Sequence, residues 1–336
     1  MKQLITFALF LLIGGTQLVL GQLTNVVTNL STPYRMAIHG NNLYFSELTG
    51  NKISMIDLST SAPIAITLIS GLNKPKDLLV IGNELYFTTA NKISKIDLNT
   101  STPEAVDIVT GVNGPDGLTP FGNNLYFSTG NKISKIDMNI SNPTVTDIVT
   151  GFSLPSDLVL NGNILYVAEE SGDKISKIDL NNNPPLVTEF VTDIGTPTGL
   201  FLNGNNLYVA NFWSSNILKI SLDISSPFAI EFLTSVSGPT SMLLFENDLY
   251  ITEAWGGTIS KINFSTLSNP EINKTEAIGL YPNPASNIIH ISGLTNKTEY
   301  TIHSVLGTQI NSGSVSNKEG LDIHQLQKGL YLLNKF

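Results

Sequence analysis

One unit is repeated six times in this chain. Each copy opens on a proline, runs through a few apolar residues to a turn that carries asparagine, continues as Leu-Tyr plus an apolar residue, and closes on a stretch like Lys92-Ile-Ser-Lys-Ile-Asp97. The prolines fall at Pro33, Pro75, Pro115, Pro155, Pro197 and Pro239, and Tyr44, Tyr86, Tyr126, Tyr166, Tyr208 and Tyr250 keep step with them. The spacing is 40 or 42 residues, the length of one four-stranded propeller blade. An all-β, six-bladed β-propeller is the expected fold.

Within a copy, four strand-sized pieces are separated by turn residues. A run such as residues 77–81 is strand a, and the turn after it holds Asn41, Asn83, Asn123, Asn163, Asn205 or Asn247. Asparagine and glycine tolerate the left-handed backbone of a tight hairpin. The Leu-Tyr run is strand b, and residues 92–98 with their equivalents alternate isoleucine with polar residues as strand c. Strand d follows a proline-bearing loop, as at Val106–Thr110. The sixth copy lacks this last strand, whereas residues 25–30, ahead of the first copy, read like one. The N-terminal strand is therefore expected to complete the last blade and close the ring, leaving no long unpaired edge.

Composition narrows the functional classes. A net charge of −9 and a single arginine, Arg35, argue against nucleic acid or an anionic membrane surface as partner, because both require clustered cations. The absence of cysteine excludes disulfides, thiolate metal sites and cysteine nucleophiles. At the N-terminus, Lys2, the apolar residues 4–13 and the small residues around Val19 and Gly21 read as a secretory leader over residues 1–21.

The repeat resembles the NHL and related six-bladed propeller families over residues 22–270, in segments such as Gly162-Asn-Ile-Leu-Tyr-Val-Ala-Glu169 and Lys174-Ile-Ser-Lys-Ile-Asp179. These motifs specify architecture rather than activity. After a polar linker at 271–277, residues 278–336 carry a different pattern. Leu280-Tyr281-Pro282-Asn283-Pro284 opens it and Gly329-Leu330-Tyr331 stands near its end. This segment resembles the C-terminal sorting domain of the type IX secretion system, a small β-sandwich. The resemblance implies type IX secretion machinery as a partner and a location outside the cell or on the outer-membrane surface of a Gram-negative bacterium.

Differences between copies carry the evidence about function. The strand b tyrosine and the first strand c isoleucine are nine positions apart in copies 1, 4, 5 and 6, against seven in copies 2 and 3. In a closed ring the longer loops form one contiguous arc, on the face shared with the d-to-a connections. At the end of strand b these copies hold Glu47, Glu169, Asn211 and Glu253, and beside them stand Glu170, Phe212, Trp213 and Trp255. Aromatics next to carboxylates and amides suit stacking on a sugar or anchoring a protein. The competing structural reading has each acid pinning its own loop. Two residues past each proline lies a second ring, Arg35, Asp77, Gly117, Asp157, Gly199 and Ser241, in which Arg35, Asp77 and Asp157 are placed at the channel mouth. There Arg35 is suited either to gripping a ligand carboxylate or phosphate or to a structural ion pair with Asp77.

The expected function is that of an exported binding module, monomeric and without a cofactor, that takes an extracellular protein or glycan on its upper face. The candidate residues are Arg35, Glu47, Asp77, Asp157, Glu169, Asn211, Trp213, Glu253 and Trp255. The alternative is a calcium-dependent hydrolase resembling gluconolactonase-type lactonases, whose resemblance implies a Glu, Asn and Asp set in the channel. The acid that this family carries near the first strand a would fall near Arg35 or Met36. Streptogramin lyases, also similar in the strand b endings, need histidine for acid-base work, and His39 is the only histidine of the repeats.

Overall fold

The computed structural model describes residues 8–13, 23–225, 227–264, 279–281, 287–292, 297–304, 308–316, 320–326 and 330–335. Two compact units are present, residues 21–265 and residues 266–336 together with 1–20.

The larger unit consists of six four-stranded antiparallel sheets. In blade 1, strand a is Pro33–His39, b is Asn42–Glu47, c is Lys52–Asp57 and d is Ile66–Ser70. Blades 2 to 5 repeat this order from Leu78–Ile81 to Ala229–Thr234. Blade 6 takes strands a to c from Pro239–Phe245, Asp248–Glu253 and Thr258–Asn263, and its fourth strand is Thr24–Val27 from the other end of the chain. Residues 28–30, expected to extend that strand, leave the ladder, but the Leu30 amide still donates to the Gly257 carbonyl at 2.8 Å.

The repeated residues have local explanations. Each a-to-b hairpin turns on two residues. The first has positive φ, being Gly40, Gly82, Gly122, Gly162 or Gly204, with Glu246 at φ 54° in blade 6. Glycine in this first position is the signature of a II′ hairpin. The asparagine that follows is not in the left-handed region, so the tolerance expected of it does not explain its recurrence. Its backbone carbonyl receives the amide of the residue after strand c, as from Leu58 to Asn41 at 2.8 Å and from Leu98 to Asn83 at 2.9 Å. The Asp that ends strand c caps the next turn, Asp57 Oδ1 accepting from the Ser59 amide at 2.9 Å and Asp97 Oδ1 from that of Asn99 at 2.9 Å. Five of the six strand b tyrosines face strand c lysines across the ladder, as Tyr86 does Lys95 and Tyr126 does Lys135, while Tyr44 faces Met55. The Lys95 and Lys135 ammonium groups lie 5.9 and 5.8 Å from the ring centroids.

The core lies between blades. Ala37, Tyr44 and Ile53 of blade 1 pack on Leu78, Leu85 and Phe87 of blade 2, and Met36, Phe45 and Ile56 pack on Tyr250 and Ile259 of blade 6, with Val26, Val27 and Leu30 alongside. The closing strand is thus held by apolar packing as well as by its ladder.

In the smaller unit, Gly279–Tyr281, Ile288–Ser292 and Gly320–Asp322 form one sheet. Thr298–Ser304 lies in a second, between Gln309–Val315 and Leu330–Lys335. Ile289, Ile291 and Leu321 of the first share a buried cluster with Ile302 and Val315 of the second, the packing of a small β-sandwich. Ala8–Ile13, within the expected leader, pairs in parallel with Leu330–Lys335. The remainder of the expected leader, residues 1–7 and 14–21, and the expected linker, residues 271–277, fall outside the described residues.

Ring closure at Gly257 is directly testable. A Cβ on Gly257, at φ 59°, would lie 2.7 Å from the Leu30 carbonyl, whereas one on Gly122, also at φ 59°, would meet nothing. Gly122→Ala should cost about 1–2 kcal/mol, the strain of a left-handed alanine, and Gly257→Ala distinctly more. Urea unfolding of the two variants checks the difference, and equal losses would show that the closing contact is not tight.

Candidate functional site

Antiparallel pairing brings the start of strand a, the end of b, the start of c and the end of d to one end of every blade, which we term the upper face. The inner strands a neighbour one another around a central channel. Side chains near the start of strand a therefore converge on the axis although they are about 40 residues apart in sequence.

Arg35 occupies that axis and is 2% exposed. Its Nη2 donates to the Thr198 carbonyl of blade 5 at 2.5 Å, and its Nη1 donates to the Thr240 carbonyl of blade 6. On the other side Nε lies 3.9 Å from Asp77 of blade 2 and 3.9 Å from Asp157 of blade 4, while Nη2 lies 3.9 Å from Asp116 of blade 3. The guanidinium also sits 4.6 Å from the Tyr34 ring. One side chain from blade 1 thus reaches all five other blades.

Polar side chains extend this contact from blade to blade. Asp77 Oδ2 accepts from the Leu118 amide of blade 3 at 2.5 Å, and Asp157 Oδ2 accepts from the Leu200 amide of blade 5 at 2.7 Å. Hydroxyls do the same elsewhere, Ser46 donating to the Lys76 carbonyl at 2.6 Å, Ser128 to that of Ser156 at 2.8 Å and Thr240 to that of Pro33 at 3.1 Å. Two positions of the inner ring must be glycine because the next blade comes too close, and a Cβ on Gly117 would lie 2.5 Å from the Ser156 carbonyl.

Burial of several carboxylates around one guanidinium shifts their titration. Asp77 is pushed up to about 8 by burial first and by Asp157 second, against lowering by Arg35. Asp157 is also raised by burial, with Arg35 opposing. Charging both in this low-dielectric space is unfavourable, so the pair retains a proton near neutral pH.

The acids at the ends of the b strands are buried and engaged. Glu47, 1% exposed, accepts from the Ser31 amide at 2.8 Å and from Ser54 Oγ at 2.6 Å. Glu169 accepts from the Ser153 amide at 2.8 Å and from Ser176, and Glu253 accepts from the Ser237 amide at 2.7 Å and from Ser260. Each carboxylate staples the connection that enters its blade to strand c of that blade. Asn211 replaces the staple in blade 5 and reverses its polarity, donating to the Ile194 carbonyl at 2.6 Å. There Leu218 stands where the other long-loop blades have the partner serine.

Trp213 and Trp255 are on the surface, 66% and 50% exposed. Their ring centroids are 5.3 Å apart, and Phe212 lies edge-on to both, 5.3 Å from Trp213 and 4.8 Å from Trp255. Trp255 rests on Gly238, where a Cβ would come within 2.8 Å of the indole. The b-to-c loops of blades 5 and 6 thereby present a fixed aromatic ridge.

Of the nine candidate residues, Arg35, Asp77 and Asp157 converge on the axis, Trp213 and Trp255 meet on the surface, and Glu47, Glu169, Asn211 and Glu253 remain apart in their own loops. A calcium site needs six to eight oxygen ligands around one point. The oxygens here accept hydrogen bonds from separate loops or face a guanidinium, and no group of three acids or histidines converges to hold a metal among the described residues. This donor set does not fit calcium.

Four residues at the channel mouth were absent from the candidate set. Asp116, 5% exposed, accepts from Lys76 Nζ at 2.8 Å and from the Tyr34 hydroxyl at 3.2 Å, and Glu170 lies close enough to feel their charges. Asp116 escapes a repeat-based reading because it stands one residue after its proline, whereas Asp77 and Asp157 stand two after theirs.

Residues 279–335 match the family described as secretion system C-terminal sorting domain. The propeller is similar in fold to a gluconolactonase from Xanthomonas campestris, at 12% identity and TM-score 0.62, over 72% of this chain and 89% of that one. It is similar to an auxiliary nutrient binding protein from Bacteroides ovatus, at 12% identity and TM-score 0.60, over 71% and 76%. Virginiamycin B lyase from Staphylococcus aureus aligns at 21% identity and TM-score 0.52, over 81% and 96%. No curated protein sequence matches. The fold and the tail define an exported protein, a six-bladed β-propeller with neighbours of the NHL and gluconolactonase type that carries a type IX sorting domain, and the tail directs it to secretion or to the cell surface.

The raised titration of Asp77 gives stability a definite pH dependence. A group bound more tightly to its proton in the folded state stabilises fully below its unfolded pKa of about 4, and that contribution fades as pH rises toward 8. Wild-type stability in urea should therefore fall between about pH 5 and pH 8, and Asp77→Asn, which cannot titrate, should give a flatter profile. Parallel profiles would contradict the assignment.

Proposed function

We propose that the propeller is an extracellular or cell-surface binding module whose contact surface is the aromatic ridge of blades 5 and 6. The exposed cluster of Phe212, Trp213 and Trp255 carries this reading. Large aromatic faces left in water are costly unless a partner covers them, and tryptophan dominates binding hot spots because it is rigid and buries a large area. The loops on either side are pinned by Asn211 and Glu253, so little conformational entropy is lost on binding.

The geometry suits stacking on a sugar ring or insertion into a protein surface. The expected ligand is an extracellular glycan or protein, and the sorting domain supplies delivery rather than recognition. The engagement of Arg35 and the three glutamates inside the fold favours this reading over hydrolysis.

Trp213→Ala and Trp255→Ala should each reduce capture on glycan and protein arrays by tenfold or more, about 1.4 kcal/mol, while the unfolding midpoint stays within a few degrees. Unchanged capture, or loss of capture in step with loss of stability, would contradict the proposal.

A further inference from the structure

The arc that carries the aromatic ridge is nearly free of charge. Strand c opens on lysine in blades 1 to 4, at Lys52, Lys92, Lys132 and Lys174, but on Asn216 in blade 5 and Thr258 in blade 6. The four lysines are ion-paired, with Glu47 at 3.1 Å, Asp107 at 2.8 Å, Asp147 at 2.7 Å and Glu189 at 2.6 Å. Asn216 keeps the strand d contact without the cation, its Nδ2 donating to Glu231 at 3.1 Å. The loops of the arc, residues 192–197, 211–216, 235–239 and 253–258, contain no lysine or arginine. Of their two acids, Glu253 is buried in its staple, and Asp193 alone is exposed.

The polar groups that remain are neutral. Ser214 is exposed, and Ser215, Ser237 and Thr258 are partly so. Asn211, 3% exposed, donates through Nδ2 to the Ile194 carbonyl, which fixes its amide with Oδ1 as an acceptor, and that oxygen has no hydrogen-bond partner. A Cβ on Gly195 would lie 2.9 Å from Asn211 Oδ1 and 3.1 Å from Ser214 Oγ, so the buried amide stands directly behind the exposed serine.

Area and charge together select the ligand. A whole indole side chain offers roughly 250 Å², so Trp213 and Trp255 at 66% and 50% exposure present roughly 300 Å² between them. A stable protein interface takes about 800 Å² from each partner, and the flanking Ser214, Ser215, Gly256 and Gly257 have little side chain to add. Protein partners are also matched by charge, and this arc has almost none to match. A short stretch of sugar chain needs neither, because the C–H faces of its rings stack on aromatic rings and its hydroxyls pair with neutral groups.

We propose that the ridge takes an uncharged polysaccharide. Sugar rings stack on Trp213 and Trp255, and their hydroxyls exchange hydrogen bonds with Ser214, Ser215 and Thr258. Uronate carboxylates and sulfate esters find no cation here, and Asp193 repels them. This inference rests on the ridge being the binding surface, and it names the class of ligand that the ridge alone leaves open.

The test is calorimetric titration of the full chain with xyloglucan, galactomannan and laminarin as neutral probes and with polygalacturonate and alginate as acidic ones. At least one neutral polysaccharide binds, its affinity changes by less than about twofold when salt is added, Trp213→Ala weakens it about tenfold or more, and the acidic polysaccharides do not bind. Failure of every neutral probe, or binding of polygalacturonate or alginate as tight as that of the best neutral probe, overturns the inference. If array capture of proteins then still depends on Trp213 and Trp255, the ridge reading stands with a protein as its partner. Neutral polysaccharide binding that survives both Trp213→Ala and Trp255→Ala overturns the ridge reading and this inference with it.

Discussion

The propeller depends on one guanidinium. A ring of sheets has an axis on which six inner strands converge, and the space there has to be filled. This chain fills it asymmetrically, with Arg35 from blade 1 and short residues from the rest, including Gly117, Gly199 and Ser241. Arginine suits the task because its planar fork reaches the Thr198 and Thr240 carbonyls on one side while keeping its charge toward Asp77, Asp116 and Asp157 on the other. The three acids need that charge, since removing one partner of a buried ionic group leaves the others uncompensated. The arrangement also gives the blades distinct roles, acids on blades 2, 3 and 4 and carbonyl acceptors on blades 5 and 6, which sets a register that six near-identical units could not specify alone.

Around this axis, polar groups on the upper face divide into those the fold uses and those it leaves free. Glu47, Glu169 and Glu253 are consumed in stapling loops, each with a serine seven residues later as second donor. In blades 2 and 3, where the loop is shorter and threonine replaces glutamate, the equivalent Ser94 and Ser134 turn instead to Asp107 and Asp147 on strand d. The staples make the upper face rigid. Left over is the aromatic ridge of Phe212, Trp213 and Trp255, and the functional reading rests on it.

Much of the architecture is legible in the sequence because blades are local. Hairpin turns, the capping Asp of strand c and the alternation of Ile with polar residues are all set by neighbours within a few positions. The missing strand of the sixth copy could be traced to the N-terminus because its sequence matches the other d strands. The candidate site was less legible. Convergence on the axis is radial, so Asp116 joins Arg35 through a geometry that no spacing along the chain encodes. The role of the glutamates had a readable sign, the serine seven residues on, which Asn211 and Leu218 lose together. The turn asparagines show the opposite failure, for the left-handed backbone expected of them belongs to the residue before them.

The most direct test of the account is the stability of Arg35→Met, measured by urea unfolding, alone and combined with Asp77→Asn, Asp116→Asn and Asp157→Asn. If Arg35 ties the blades by compensating three buried acids, Arg35→Met should lose about 3–5 kcal/mol, and neutralising the acids in the same chain should restore a substantial part of that loss. A variant with methionine at 35 that unfolds at the wild-type urea concentration would show that the ring holds without its central charge.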